Sequence, residues 1–526
     1  MRLNALPASG DAQFEVFDLP PTLPIVLPVC RRLQIADTVD RLCPMKDGDH
    51  LTHGQIVEFL ILHILQSPHR FPLYELELWA DENNVEQIYG LPAGKFNDDR
   101  VRRALDAIYE SLGDIQAAVV TQVLQQYSVQ ARTIHWDLTS VTFSAARADS
   151  ELVHTGYGGG QINRRQVQVS LHTTDEGAIP VHHQTLAGKA HQAPLAPSML
   201  TRLREQLQRS DLIIVSDRAA VTYDNIVAYR QAQAHFLGAF TVADPKLQRQ
   251  LAEVPVEQFK PLSYRSINAP DDFDLYYQTT VRLLPQTHSA PITVDALFIY
   301  SPRQQQQKAD ERAKAIAKVC RRLDDIIGHL NQPTKRSYVN RAYTDGQVKK
   351  AIRGPLADIV RYELSGDDGN VELRHWIDED ALARAAAGDG RWVLLYDLAP
   401  DQTPDAIFET YRRQGSIEAR FRNFKSELSV HPLWLHTDER IAALLLIFVL
   451  ALTVYSLLEL CSVRAGLDTP HYHKMTAREM MKRFRRTQLL QVRVRGRPYQ
   501  RELRLSEEQR HILRQMGLPD PIHYLS

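Results

Sequence analysis

Paired cysteines are missing from this chain of 526 residues. Its four cysteines, Cys30, Cys43, Cys320 and Cys461, stand far apart with no Cys-x-x-Cys step. That excludes a zinc ribbon and a disulfide-stapled scaffold, and it fits a reducing cytoplasm. A dominant charge is missing too: 62 Lys and Arg meet 63 Asp and Glu, for a formal net charge of −1. A uniformly basic nucleic-acid binder is excluded, but a local basic patch is not, because the field that steers a polyanion is local. The opening residues, MRLNALPASGDAQFEVFDLP, hold no apolar signal core, so no export signal is expected. GYGGG at Gly156–Gly160 has no Gly-Lys-Ser/Thr ending and reads as a hairpin connection, not a phosphate-cradling loop. Internal repeats are absent.

What is present is the composition of a folded chain, with 44% hydrophobic and 24% charged residues. The length exceeds one ordinary core and predicts two to four domains. One apolar run stands out, the 18 charge-free residues Ile441–Leu458. It sits at the lower edge of a membrane span. Asp438, Glu439 and Arg440 precede it, Glu459 follows, and no second run exists. It is therefore read as a helix buried in a large core, with a membrane protein as the competing class.

Residues 1–130 read as helical, from the apolar spacing of Gln55–Gln66 and Arg100–Gln126, with Thr52 as a helix cap. His53 and His63 have no companions and are read as surface or packing residues. From Arg132 the period becomes two: Ile134, Trp136 and Leu138 alternate with His135 and Asp137, which predicts a strand. Gln166–Thr173 and Ile179–Leu186 are further strands, and Leu195–Arg209 and Tyr223–Gln233 are helices. Leu212–Ser216 and Phe236–Phe240 are short apolar runs of the kind found in strands buried on both faces. The order predicts an α/β layer with an antiparallel edge and a parallel centre. Chemistry in such sheets gathers beyond the carboxyl ends of central strands, where Asp217 lies.

Residues 245–390 read as a β-rich insertion. Phe273–Leu283 and Ile292–Tyr300 are strands, and a Gln-rich connector, Arg303–Lys308, leads into a helical stretch. Arg391–Leu398 resumes an apolar strand. Residues 464–526 form a basic C-terminal region: Arg464–Arg504 alone holds 12 Lys and Arg against 3 Asp and Glu. Lys482, Arg483, Arg485 and Arg486 are its densest cluster, Arg493, Arg495 and Arg497 continue it, and DNA-backbone contact is the favoured use. His182–His183 and His471–Tyr472–His473 are too sparse for a metal site, and Trp136, Trp376, Trp392 and Trp434 are read as core.

YRRQGSIEARFRNFK, residues 411–425, carries the most chemistry. Tyr411, Glu418 and Lys425 recur every seven residues, which on one helix places them along one ridge. Beside them run Ile417, Phe421, Phe424 and Leu428, the stripe of a buried helical face. A glutamate bordering such a stripe is costly for packing alone. Asp137 on the first strand, Asp217 at a strand end and Glu418 on this helix are expected to face one spot. Three hard oxygen donors without His or Cys suit Mg²⁺ or Mn²⁺. Two such ions, roughly 4 Å apart, activate an attacking oxygen and stabilise a leaving one in phosphodiester chemistry. Lys425 and Arg218 are placed to hold phosphate.

DLTS at Asp137–Ser140, SDR at Ser216–Arg218 and Y-x6-E-x6-K over Tyr411–Lys425 resemble the motifs of bacterial insertion-sequence transposases of the DDE class. They are most similar to the group marked by a Tyr-Arg-Glu-Lys signature. SELSVHPLWLHTDERIAALLLIFVLAL, MTAREMMKRFRR and LSEEQRHILRQMGLPDP resemble that group's continuation, as do GQIVEFLILHIL and NDDRVRRALDAIYESL nearer the N-terminus. The resemblance covers most of the chain and is weakest across 245–390. It implies a ribonuclease-H-like mixed-sheet core in two parts, 131–244 and 391–463, interrupted by the β-rich 245–390. It also implies a helical, DNA-end-binding domain over 1–130. Asp137, Asp217 and Glu418 would be the metal-binding triad, and Tyr411 and Lys425 would grip DNA near the cut. The implied activity is metal-dependent cleavage at transposon ends and strand transfer into target DNA, by a homodimer on paired inverted repeats in the bacterial cytoplasm, with no membrane. The signature's arginine falls at Gln414, and the glycine frequent after Asp-Arg is Ala219. Two other readings stay open: an inactive DNA-binding descendant or regulator, and a metal-dependent nuclease without strand transfer.

Overall fold

The computed structural model describes residues 12–45, 51–66, 73–142, 150–158, 161–190, 196–265, 270–285, 290–332, 336–428, 435, 437–467, 475–494 and 497–525. His471–Tyr472–His473, Trp434, Arg495 and the tip of GYGGG lie outside them. The chain forms two compact units. The first takes the chain up to Ala220, Asn225–Phe236, and the chain from Thr410; the second takes Val221–Asp224 and Leu237–Glu409. The N-terminal and C-terminal stretches and most of the expected core thus share one unit, while residues 221–224, 237–244 and 391–409 of that core fall in the second.

That unit opens with β1 (Ala12–Asp18), then the helices Leu23–Arg32, Ile35–Leu42 and His53–Gln66. Thr52 caps the last of these: its Oγ1 accepts from Gln55 N–H at 3.0 Å, and Gln55 Oε1 accepts from Thr52 N–H at 2.9 Å. Where the spacing predicts one helix over Arg100–Gln126, there are two, Asp98–Ile108 and Leu112–Tyr127, joined by a tight turn over Tyr109–Ser111. Ser111 and Gly113 are weak helix formers at that break.

The sheet follows as β2 (Thr133–Thr142), β3 (His154–Gly158), β4 (Gln161–Thr174), β5 (Pro180–Ala187), β6 (Ile213–Ser216) and β7 (His235–Phe240). It is mixed. β2 runs antiparallel to β4, from Ile134 opposite Thr174 to Thr142 opposite Gln166, and parallel to β6. β3 and β5 pair with successive halves of β4. The helices Ala196–Leu207 and Tyr223–Gln231 alternate with β6 and β7, close to their predicted places.

The polar face expected for β2 is covered. His135 is fully buried, as is Trp136, because β2 lies between β4 and β6 with side chains packed on both faces. Trp136 stacks on His172 at 5.8 Å, and His172 meets His182 at 5.2 Å. Burial holds these imidazoles neutral: it takes His182 down to about 4 and His183 to about 3. The histidine pair of β5 is therefore packing, and each member bonds a glutamine, Gln206 or Gln116.

In the second unit β8 (Lys260–Pro261), β9 (Leu275–Leu283) and β10 (Ile292–Tyr300) form an antiparallel run. β11 (Val360–Ser365) and β12 (Glu372–Ile377) make a separate hairpin, and β13 (Arg391–Asp397) pairs with β10. The Gln-rich connector is instead the start of a 28-residue helix, Pro302–His329. Pro302 opens it, and Gln306 and Gln307 bond Asp310 and Glu311 one turn on, at 2.8 and 3.0 Å. Trp376, expected in a core, is 49% exposed on β12.

Back in the first unit, the apolar run lies in the helix Asp438–Arg464, whose most apolar 18-residue window is 100% buried. It packs against Leu23–Arg32, His53–Gln66, Asp98–Ile108, Leu112–Tyr127 and β5. β14 (Gln488–Val494) pairs with β1 and with β15 (Arg497–Arg504), so the two ends of the chain share one small sheet.

Candidate active site

β2 and β6 set the first two carboxylates. In their parallel register Trp136 stands opposite Ser216. Asp137 and Asp217 each follow by one residue, so they leave neighbouring strands, roughly 4.8 Å apart, at one level. Asp137 is half-buried, and its Oδ1 accepts from Leu138 N–H at 2.7 Å. Asp217 is half-buried just past the end of β6, where its Oδ1 accepts from Ala219 N–H at 3.0 Å. Arg218 and Ala219 are exposed.

The third carboxylate arrives on a helix less regular than the spacing predicts. Residues 411–425 are not one helix. A first helix, Pro404–Arg412, ends just after Tyr411; a second, Gly415–Arg422, carries Glu418; and a π-helical turn, Asn423–Glu427, carries Lys425. The break falls at Arg413–Gln414, and π-turns often mark functional positions. The apolar stripe is in place: Ile417, Phe421, Phe424 and Leu428 are buried, with Phe424 edge-on to Phe448 of the long apolar helix at 6.1 Å. Arg420 fixes the second helix from behind. It pairs with Glu459 at 2.7 Å and donates to the carbonyls of Gly177 and Ala178 at 2.8 and 3.1 Å. Glu418, on the opposite side, is exposed.

The groups act on one another. Burial first, then the charges of Asp217 and Glu418, push the Asp137 carboxyl up to about 7, against the Leu138 N–H bond and the charge of Lys425. Burial raises Asp217 too, opposed by the N–H groups of Ala219 and Ala220 and by Arg218. Burial lowers Lys425, whose ammonium the Asp137 carboxylate favours. Burial raises Tyr411, which also feels Arg218, Asp217, Arg412 and Glu418. Asp137, Asp217, Glu418, Tyr411, Lys425 and Arg218 therefore share one neighbourhood. Among the described residues, however, no three His, Cys, Asp or Glu side chains are grouped tightly enough to hold one metal ion. The donor chemistry fits a hard divalent cation, since the half-buried Asp137 carboxyl is raised by burial and then by the charges of Asp217 and Glu418, but the three carboxylates meet through space and not at a point.

Gln414 is not an outward phosphate contact. It is buried; its Oε1 faces His135 Nδ1 at 2.9 Å and its Nε2 donates to the Trp136 carbonyl at 3.1 Å. His135 Nε2 meets Asp175 at 2.9 Å, and Arg413 pairs with the other Asp175 oxygen at 2.5 Å. Sequence reasoning missed this chain of four; the one signal was a histidine beside Asp137 on a central strand. Lys482, Arg483, Arg485 and Arg486 gather elsewhere, around a cavity of about 660 Å³ by β15.

A family model described as "Domain of unknown function (DUF4277)" matches residues 20–117. No curated protein matches the chain. Among solved structures, the chain is similar to a piggyBac transposase synaptic complex with hairpin DNA, at 8% identity and a TM-score of 0.41, over 90% of this chain and 82% of that one. It is also similar to a Mos1 transposase paired-end complex with left transposon end, at 11% identity and a TM-score of 0.16. A pre-cleavage Mos1 transpososome follows at 12% and 0.15; both Mos1 matches cover 32% of this chain and 59% of theirs. These scores are all below 0.5, and the reading that follows rests on the chain's own residues.

Proposed function

We propose that the chain is a metal-dependent transposase that cuts DNA at transposon ends and joins them to a target. The observation that carries this reading is the strand register that sets Asp137 and Asp217 at one level, near enough to Glu418 that, after burial, both neighbouring acids raise the Asp137 carboxyl. A half-buried carboxyl raised by burial and by two neighbouring acids marks a site that takes positive charge from outside. Asp137, Asp217 and Glu418 would hold Mg²⁺ or Mn²⁺, as a pair of ions. Bound there, the metal supplies activation of the attacking oxygen and stabilisation of the leaving one. Lys425 and Arg218 bind phosphate beside the carboxylates, and Tyr411, at the end of its helix, borders the scissile strand. The partners are double-stranded terminal repeats and target DNA, met by a homodimer in the bacterial cytoplasm.

A second reading, a DNA-binding descendant that does not cut, is favoured by the absence of a tight three-ligand group among the described residues. One experiment separates them. Purified protein is incubated with duplex DNA carrying the element's ends, with Mg²⁺, with Mn²⁺ and with EDTA, and both nicked and joined products are scored. The transposase reading expects metal-dependent nicks and joined products, both lost in Asp217→Asn. Nicks without joining indicate a nuclease. Retarded DNA that is never cut indicates the inactive descendant.

A further inference from the structure

Beyond the carboxylates, the first unit holds a concave surface lined mainly by cations. Its cavity of about 660 Å³ lies between the helix Ala477–Arg483, β15 and the helix Glu507–Gln515. Lys482, Arg485, Arg486, Arg504 and Arg510 line it, with Glu502 as the acid among them. Arg483 also lines it, but its guanidinium is taken by Glu508. Capping boxes fix the starts of both helices, at Thr476–Glu479 and Ser506–Gln509, and Gln509 Nε2 donates to the Arg483 carbonyl at 2.7 Å. Lys482, Arg485, Arg486 and Arg504 are exposed, so their charges face the solvent of this cavity. Such a concave array raises the local concentration of a polyanion.

The cavity does not stand alone. Lys482 and Arg485 also line a neighbouring cavity of about 330 Å³, together with Glu427, Leu428 and Arg478. Arg478 pairs with Glu427 at 3.0 Å. Glu427 closes the π-turn that carries Lys425. Positive side chains therefore run from Arg478, which Glu427 ties to the π-turn of Lys425, through Lys482 and Arg485, to Arg486, Arg504 and Arg510.

We propose that this run is a phosphate track that grips the backbone of duplex DNA flanking the reacting bond. It rests on the reading of the chain as a DNA-cutting enzyme, and it adds Arg504 and Arg510 to the DNA contacts while removing Arg483, whose charge Glu508 neutralises. Several separate cations around an open concavity suit a polyanion's backbone; a single small anion would need one closed cradle.

The test is equilibrium binding of the full-length protein to a fluorescent end-containing duplex, in EDTA, over a series of salt concentrations. Leaving out metal keeps binding separate from cutting. Replacing Arg486 and Arg504 by Ala together is expected to weaken binding about tenfold near 0.1 M salt and to flatten the slope of log K against log salt by roughly 2, one phosphate per cation. Arg486→Lys with Arg504→Lys should keep the slope, and Arg483→Ala should leave it unchanged. Thermal melts of each variant confirm folding. A double-Ala variant that folds and keeps the wild-type affinity and slope overturns the track, as does equal loss in Arg483→Ala. Tighter binding of single-stranded RNA than of the duplex also overturns it. A protein that binds through the track yet never cuts with Mg²⁺ or Mn²⁺ sinks the catalytic reading alone.

Discussion

Asp137 shows how one side chain reports on a site. Its carboxyl ionises at about 7 in the folded chain, against an ordinary value of 3.8. The folded form therefore keeps its proton over a range where the unfolded chain has lost it. The associated stability is full below pH about 4 and is lost as pH rises through about 7. At pH 8 without metal, the wild-type protein carries the whole cost of a repelled, half-buried carboxylate. Asp137→Asn removes that cost and keeps the shape. The variant is expected to be more stable than wild type at pH 8, by roughly 1–2 kcal/mol after discounting for solvent screening, with a smaller gain at pH 5. It should also lose all cutting. Thermal melts at both pH values in EDTA check the first part; a variant equally destabilised at both would show that Asp137 is an ordinary packing residue. Manganese binding, followed by calorimetry in buffers of different ionisation enthalpy, should tighten from pH 6 to 8 and release protons.

At the scale of elements, the break between the helices Pro404–Arg412 and Gly415–Arg422 sets where Glu418 stands. Gln414 pins that break to β2 at the residues just before Asp137, through His135 and the Trp136 carbonyl. A longer, charged arginine at 414 would have to bury a guanidinium beside His135, so the neutral amide fits this interior. Gln414→Ala leaves the Trp136 carbonyl and a His135 nitrogen without their partner, at about 1–3 kcal/mol. It should lower the melting temperature and reduce cutting while leaving metal-free DNA binding intact; a loss of binding as large as the loss of cutting would place Gln414 on the DNA instead. This element also shows what sequence pattern can and cannot reveal. The strand before Asp137 was legible from its apolar period of two, the strand before Asp217 from its short apolar run, and the stripe Ile417, Phe421, Phe424, Leu428 from its helical spacing, because each is a local signal. The helix break was not, because Arg413 and Gln414 are unremarkable helix formers whose turn is imposed by contacts with Asp175 and His135, more than 200 residues earlier. The Gln-rich start of Pro302–His329 misled in the opposite sense: a polar run suggests a connector, yet glutamine is a good helix former.

At the scale of the molecule, the N-terminal helices are not a detachable module. The long helix Asp438–Arg464 is buried along its apolar length by segments that come before and after it in sequence. Its N-terminal end is tied by Arg440 to Asp106, at 2.6 and 2.8 Å, and by Asp438 to Ser150 and the backbone N–H groups of Glu151 and Leu152. Its C-terminal end is tied by Arg464 to the Tyr127 carbonyl at 2.5 Å and to Glu176. β1 adds a strand to β14, close to the last residues of the chain. The apolar run that composition alone could assign to a membrane is thus the axle on which early and late segments pack. Deleting residues 12–127 would bare the side of this helix that faces His53–Gln66 and Asp98–Ile108. Leucines and isoleucines brought into water at roughly 1.5–3 kcal/mol each would together cost on the order of the whole stability of a domain. The truncated chain is expected to aggregate or to bind a hydrophobic dye strongly, and to lose cutting even with Asp137, Asp217 and Glu418 intact. A truncated chain that stayed monomeric, melted cooperatively and still nicked DNA would show that the helix finds enough cover from the sheet alone.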